Sequence, residues 1–200
     1  MIFTIDGNIG SGKSTLLDYL HNTFNLSTDP EPVTKWQPFL EDIYKNKKGT
    51  FEFQVRVWLD RCWVQQRPEM APIIMERSPY FQRNVFVPVN YENGQLTPRE
   101  FQIVHELYAK SSSLWCPFGY IYLRSNPTNC STRIKKRARP SEEEISEEYL
   151  KKLHDLHESS YIWAATHGVP IVCIDVEGKT TPEIAKEVYH ALVHMGLPYQ

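Results

Sequence analysis

The chain has 200 residues, 41% of them hydrophobic, enough to bury one sizeable core without demanding a second domain. Its 22 Lys and Arg against 24 Asp and Glu leave a formal net charge of -2, so there is no global field to hold a polyanion, and basic chemistry must come from a local cluster. Cys62, Cys116, Cys130 and Cys173 form no CxxC pair, which argues against a zinc ribbon or a disulfide framework and for reduced thiols.

The first apolar run, "IFTI" from Ile2, predicts a buried strand, and Leu16, Leu17, Leu20 and Phe24 predict an amphipathic helix soon after it. Between them stands Gly7-Asn8-Ile9-Gly10-Ser11-Gly12-Lys13-Ser14, which fits GxxxxGK[ST] in the strand–turn–helix frame that motif requires. Gly7, Gly10 and Gly12 keep side chains away, so that successive backbone N–H groups can wrap a phosphate. The helix N-terminus, entered through Lys13, Ser14 and Thr15, adds its positive dipole end. Lys13 is expected to reach the β and γ phosphates of ATP and Ser14 to ligate Mg2+.

A short strand is expected around Leu26 to Thr28, then a helix carrying Phe53, Val57 and Val64, a strand at "IIM" from Ile73, and a helix with Phe101, Val104, Leu107 and Tyr108 on one face. The strand "YIYL" from Tyr120 follows, then a helix with Leu150, Leu153, Tyr161 and Ala164, the strand "IVCI" from Ile171, and a last helix with Ile184, Val188 and Leu192. Strands alternating with helices at this spacing predict an α/β chain, a parallel sheet covered on both faces. The joints "TDPEP" and "RPEMAP" punctuate elements without marking a linker, and no internal repeat interrupts a single domain over 1–200. The N-terminus shows no secretory pattern or Arg-rich presequence, and no apolar run is long enough to cross a bilayer. The expectation is a soluble cytoplasmic protein with no membrane partner.

A phosphate loop specifies a nucleoside triphosphate and leaves the reaction open. A GTPase would carry DxxG in its first half and NKxD; here DxxG occurs only at Asp175–Gly178, and "NKKG" from Asn46 lacks the aspartate. A motor ATPase would end a strand in Asp-Glu, whereas "IIMERS" ends in Glu76-Arg77-Ser78. Taken together, "GNIGSGKST", "EPVTKW" from Glu31, "FEFQ" ending at Gln54, "IMERSPY" from Ile74 and "RIKKRARPSEEE" from Arg133 resemble the deoxyribonucleoside kinase family of thymidine, deoxycytidine and deoxyguanosine kinases. The resemblance implies a P-loop kinase fold with a five-stranded parallel sheet, an Arg-rich lid over roughly 133–144, and a homodimer built from helices. It implies transfer of the ATP γ-phosphoryl group to a deoxynucleoside 5′-hydroxyl. A nucleoside monophosphate kinase on the same fold is the nearest alternative and would need further arginines for the acceptor phosphate. A nucleotide-dependent nucleic-acid-binding protein, using the basic segment, is a distant one.

By that resemblance Glu31 is the general base, Glu76 organises magnesium together with Ser14, and Arg77 contacts the 5′ oxygen and the phosphates. Independently, Glu76 closes a buried strand, where a carboxylate is costly unless it serves a cation. Arg133, Arg137 and Arg139 resemble the lid arginines and are expected on one helical side, with Lys135 and Lys136 facing solvent; guanidinium forks suit a spread phosphoryl charge better than lysine does. Trp36, Phe53 and Phe86 resemble walls that sandwich the base over Leu40, Gln54 the amide that reads its edge, and Tyr44 with Glu142 the pair that holds the sugar 3′-hydroxyl. Arg61 stands where deoxycytidine and deoxyguanosine kinases place the arginine of an Arg–Asp pair, and Gln82 where they place the aspartate. Without that aspartate, the donors of Arg61 are expected to meet thymine O4 and favour thymidine. His154 and His157 have metal-like spacing in "HDLH", yet no third ligand pattern accompanies them, and they read as structural.

Overall fold

The structure, a computed structural model, describes residues 1–46, 48–62, 72–139 and 142–198, with Tyr44 in backbone only. Val64 and the first five residues of "RPEMAP" lie outside the described residues. Five strands form one sheet: β1 (Ile2–Gly7), β2 (Ser27–Asp29), β3 (Ile73–Glu76), β4 (Gly119–Arg124) and β5 (Ile171–Asp175). All neighbours pair in parallel in the order β2-β3-β1-β4-β5. The expected strand at Leu26–Thr28 is present one residue later.

Parallel strands need crossovers, and helices supply them on both faces. In chain order these are α1 (Lys13–Phe24), α2 (Val33–Glu41), α3 (Thr50–Cys62), α4 (Pro79–Phe81), α5 (Val87–Glu92), α6 (Pro98–Lys110), α7 (Ser112–Trp115), α8 (Pro127–Arg137), α9 (Glu147–Thr166) and α10 (Thr181–His194). The period-2 geometry of β4 divides the core. Ile121 and Leu123 face Leu16, Leu20, Val188 and Leu192 of α1 and α10, while Tyr120 and Tyr122 face Phe81, Leu150 and Leu153. Each such apolar side chain contributes about 1.5–3 kcal/mol by leaving water. A third cluster, including Cys62, Val87, Val104, Tyr108 and Trp115, fixes α3 against α6.

Residues 79–92 carry no helical expectation, because Pro79 and Pro88 interrupt the apolar pattern. They are nonetheless helical: each proline occupies the first turn of its helix, where its missing N–H costs nothing, and a π-helical turn, Gln82–Phe86, joins α4 to α5. The lid arginines do not share one helical side. Helix α8 stops at Arg137 because Ala138 turns left-handed at φ 49°, so Arg139 lies beyond it. No helix among the described residues is long and apolar enough to cross a membrane, and all four cysteines are unpaired.

Candidate active site

A cavity of about 370 Å³ opens where β1 and β3 end, lined by the glycine loop, α2, α3, the Gln82–Asn90 segment and the Arg137–Glu142 region. The loop between β1 and α1 can make its turn only with glycine. Gly10 has φ 80°, and a Cβ there would stand 2.7 Å from the Cys130 carbonyl oxygen. Lys13 Nζ donates to the Gly7 and Asn8 carbonyls at 3.1 and 2.9 Å, holding its ammonium inside the loop curve while it lines the cavity. Ile9, Gly10, Gly12, Ser14 and Thr15 also line it. The Asn8 side chain faces the other way: Nδ2 donates to the Leu150 carbonyl at 2.8 Å and Oδ1 accepts from Ile9 N. Asn8 thus ties the loop to α9 and offers a phosphate only its backbone. The Ser11 hydroxyl is likewise buried.

Three charged groups meet at the centre. The Ser14 hydroxyl donates to Glu76 Oε1 at 3.0 Å, Glu31 N donates to Glu76 Oε2 at 3.2 Å, and Arg77 Nε donates to Glu31 Oε1 in an ion pair. Burial pushes both carboxyls upward. At Glu31 the charges of Arg77 and Lys13 outweigh burial and hold the group below its ordinary range. At Glu76 burial and the neighbouring Glu31 charge prevail, and the group stays raised. An ionised carboxylate beside a cavity is equipped to accept a proton, and a raised carboxylate next to a hydroxyl gains from a cation. The Ser14–Glu76 pair is all oxygen and lies beside the phosphate loop. It fits Mg2+, which takes one or two protein oxygens and fills the rest of its shell with water and phosphate.

At the lid, Arg137 Nε and Nη2 donate to Glu142 at 2.6 and 2.7 Å, and Arg139 Nη1 stands 3.5 Å from the same carboxylate. All three residues line the cavity. Arg133 does not; its Nη1 donates to Ser125 Oγ at 2.8 Å and to the Gly10 carbonyl, so its charge braces the loop from behind.

Trp36 meets Phe53 edge-on at 5.6 Å, and Phe86 lies under the Arg77 guanidinium at 3.9 Å. With Leu40 these side chains line the end formed by α2 and α3. Gln82 Nε2 donates to Gln54 Oε1 at 2.7 Å, leaving Gln54 Nε2 buried without a protein partner. Arg61 departs from expectation. It does not line the cavity; its Nη1 donates to the Glu76 carbonyl at 3.3 Å and faces Asp29 Oδ2 at 3.5 Å. The C-terminal ends of β2 and β3 thus offer its Nη1 acceptors away from the cavity, while its Nε is buried without a protein partner among the described residues. The Tyr44 side chain lies outside the described residues. His157 sits among Phe81, Tyr122 and Phe86, its Nδ1 2.7 Å from the Leu153 carbonyl.

Six lining residues, Asp18, Val33, Ile43, Val57, Asn90 and Tyr149, are not among the expected site residues. Asn90 is buried in the cavity wall; its signal is its spacing of four from Phe86 and eight from Gln82. Tyr149 lines the cavity from α9, with no signal except its place beside Leu150.

A family model described as deoxynucleoside kinase matches residues 3–194. The chain belongs to the deoxynucleoside kinase family. It is 30% identical over 213 residues to a mitochondrial deoxyguanosine kinase of Xenopus laevis, covering 87% of this chain and 80% of the relative. It is 28% identical over 188 residues to mitochondrial thymidine kinase 2 of Homo sapiens, covering 88% and 71%. A solved deoxyadenosine kinase from M. mycoides superposes with a TM-score of 0.81 at 26% identity, covering 98% of this chain and all of that one. As a deoxynucleoside kinase, the chain phosphorylates deoxynucleosides on a P-loop fold. Relatives with guanine, thymine and adenine in their names leave the base open.

Proposed function

We propose that this kinase moves the γ-phosphoryl group of ATP to the 5′-hydroxyl of a 2′-deoxynucleoside. The observation that carries the reading is the meeting of an ionised Glu31 with Arg77, Lys13 and the Ser14–Glu76 pair at the phosphate-loop end of one cavity. The triphosphate lies along Gly7–Thr15 and the nucleoside beyond Glu31, its base between Trp36 and Phe53 on one side and Phe86 on the other. Glu31 accepts the hydroxyl proton, the freed 5′ oxygen bonds to the γ phosphorus, and the bond to the ADP oxygen breaks. Arg77, Lys13, Arg137 and Arg139 spread their charge over the transferring group. Magnesium held by Ser14 and Glu76 would neutralise charge on the β and γ phosphate oxygens. Glu142, in the cavity wall, takes the sugar 3′-hydroxyl and favours deoxyribose.

With Arg61 behind the wall, the base meets amides in place of a cation. Gln54 offers a donor and Gln82 a carbonyl, a combination that cytosine meets with N3 and its amino group and thymine with O4 and N3–H. We infer that thymidine, the expected lead, and deoxycytidine fall within about tenfold of each other in kcat/KM, since no charged hydrogen bond, worth about 1.5–3 kcal/mol, separates them. The M. mycoides deoxyadenosine kinase was solved with dCMP as product, which supports tolerance at this end of the pocket. The homodimer implied by resemblance is proposed as well, with Leu59 of α3 and Ile103 of α6 exposed on neighbouring helices; sedimentation at twice the mass of 23.4 kDa tests it. The central test incubates ATP and magnesium with thymidine, deoxycytidine, deoxyadenosine and deoxyguanosine. Monophosphate from at least one is expected, and none from any overturns the reading.

A further inference from the structure

Arg77 is one of three non-glycine residues with positive φ among the described residues, at 64°. A left-handed arginine costs about 1–2 kcal/mol, so something must hold it. Its own N–H continues the β1–β3 pairing, donating to the Ile5 carbonyl at 2.9 Å. The next peptide is gripped from below: Asp6 Oδ1 accepts from Ser78 N at 2.7 Å and from Ser78 Oγ at 3.0 Å. The other oxygen, Oδ2, accepts from Thr4 Oγ1 at 2.9 Å, which fixes the carboxylate plane. Ser78 is itself anchored onward, its Oγ accepting from Phe81 N at 3.1 Å as the cap of α4 and its carbonyl accepting from Gln82 N at 3.0 Å.

Asp6, Thr4 and Ser78 are all buried, and the phosphate loop starts at the residue after Asp6. Among the described residues no cation hydrogen-bonds the Asp6 carboxylate. Burial pushes its carboxyl up to about 6 in spite of three hydrogen bonds, so retaining an acid here costs stability that an apolar residue would not. The geometry explains what the acid holds. The peptide it grips follows directly on the left-handed turn that aims the guanidinium at Glu31 and across the Phe86 ring.

We infer that Asp6 is a positioning residue for the phosphoryl transfer, acting through Ser78 to hold Arg77 in its left-handed conformation. This rests on the reading of Arg77 given above. What the clamp requires of Asp6 is an acceptor aimed at Ser78, and its negative charge is dispensable. Asparagine keeps that acceptor, and its amide N–H can donate to Thr4 Oγ1 in reverse. Alanine keeps neither.

The test compares Asp6→Asn, Asp6→Ala and Asp6→Val in steady-state kinetics, with ATP and whichever of the four deoxynucleosides the wild type turns over fastest. Valine suits a buried strand and secures the experiment should the alanine variant not fold. In the alanine or valine variant kcat should fall by about ten- to a hundredfold with both KM values changed less than about threefold, the pattern of a misplaced group that acts in the transition state. Asp6→Asn should stay within about threefold of wild type. Added to Arg77→Ala, Asp6→Val should cost nothing further, because its effect passes through Arg77. Wild-type kcat in the valine variant, an asparagine variant as slow as valine, or additive losses in the double variant would each overturn the inference. A crystal structure of Asp6→Val gives a readout independent of turnover: Arg77 should leave the left-handed region, and Arg77 still there against Glu31 would refute the clamp. A wild type inactive on every deoxynucleoside would remove the catalytic reading of Arg77, and the crystal structure would then decide the clamp alone.

Discussion

Glu31 and Glu76 sit one hydrogen bond apart, and their environments push them in opposite directions. Glu31 is held down by Arg77 and Lys13 after burial has pushed it up, and Glu76 is held up by burial and by Glu31. That split supports the proposed roles, Glu31 as base and Glu76 on the cation side. Glu31→Gln keeps the shape and loses the proton acceptor, so kcat should fall by about 10² to 10⁴ with the nucleoside KM little changed. Pre-steady-state and steady-state rates check this, and a loss carried by KM alone would make Glu31 a substrate-holding residue. The place of both glutamates at the cavity was legible from the resemblance carried by "EPVTKW" and "IMERSPY". That of Arg61 was not. Its position in the sequence is that of a base reader, but a long side chain goes where acceptors are, and the carbonyl of Glu76 and the carboxylate of Asp29 lie within its reach. Sequence spacing places a Cα on the right helix and does not say which way a guanidinium turns.

Elements carry the next level of constraint. The glycine loop was legible residue by residue, but the pattern treats its glycines alike and the structure separates them. A Cβ on Gly10 would meet the Cys130 carbonyl at 2.7 Å, whereas one on Gly12, at φ 96°, would meet nothing within 4 Å. Gly12→Ala should therefore cost the left-handed penalty of about 1–2 kcal/mol. Gly10→Ala should cost about 2–4 kcal/mol, because backbone must also move away from backbone. Urea denaturation of the two variants measures the gap, and equal midpoints would show that α8 yields freely. Helix α9 gives a second case, since "HDLH" carries metal spacing and yet packs. Burial among Phe81, Tyr122 and Phe86 lowers the His157 imidazole to about 3, from an ordinary 6.5. Between those values the unfolded chain binds the proton and the folded one does not, so this group destabilises the fold as pH falls, by up to about 1.4 kcal/mol per unit. His157→Phe keeps the stacking and removes the titration. Its unfolding free energy should lose about one proton's slope between pH 4 and 6 relative to wild type. Parallel curves would mean that His157 is already protonated in the fold. The lid is where the element reading stopped short, because a helical run through Arg139 could not foresee the left-handed Ala138 that ends α8.

On the scale of the whole molecule, continuous apolar runs placed β1, β3, β4 and β5, because strands inside a parallel sheet covered on both faces are written that way, whereas the edge strand β2, Ser27–Asp29, is polar and was placed one residue early. Such runs were not enough to give strand order, which depends on contacts between distant segments. That order puts β3 between β2 and β1, so Asp29, Glu76 and Gly7 end side by side, and the cavity takes one wall from each region. The distribution of charge around it then decides the acceptor. Among the described residues the lining cations are Lys13, Arg77, Arg137 and Arg139, from the phosphate loop, the end of β3 and the lid. Helices α2, α3 and α5 contribute Val33, Trp36, Leu40, Phe53, Gln54, Val57 and Asn90 to the lining and no cation at all. An acceptor that already carries a 5′-phosphate would bring two further negative charges to a site whose arginines pair with Glu31 and Glu142 and, in the proposed reaction, serve the triphosphate. Each charge-assisted contact it fails to make forfeits about 1.5–3 kcal/mol. Two such contacts imply a kcat/KM at least about 10² lower for thymidylate or deoxycytidylate than for the matching nucleoside. The measurement is a competition in which nucleoside and monophosphate are supplied together with limiting ATP and the products are separated by charge. Diphosphate forming as fast as monophosphate would show that the lid arginines can serve two phosphate groups at once, and would transfer the chain to the monophosphate kinases despite its uncharged pocket.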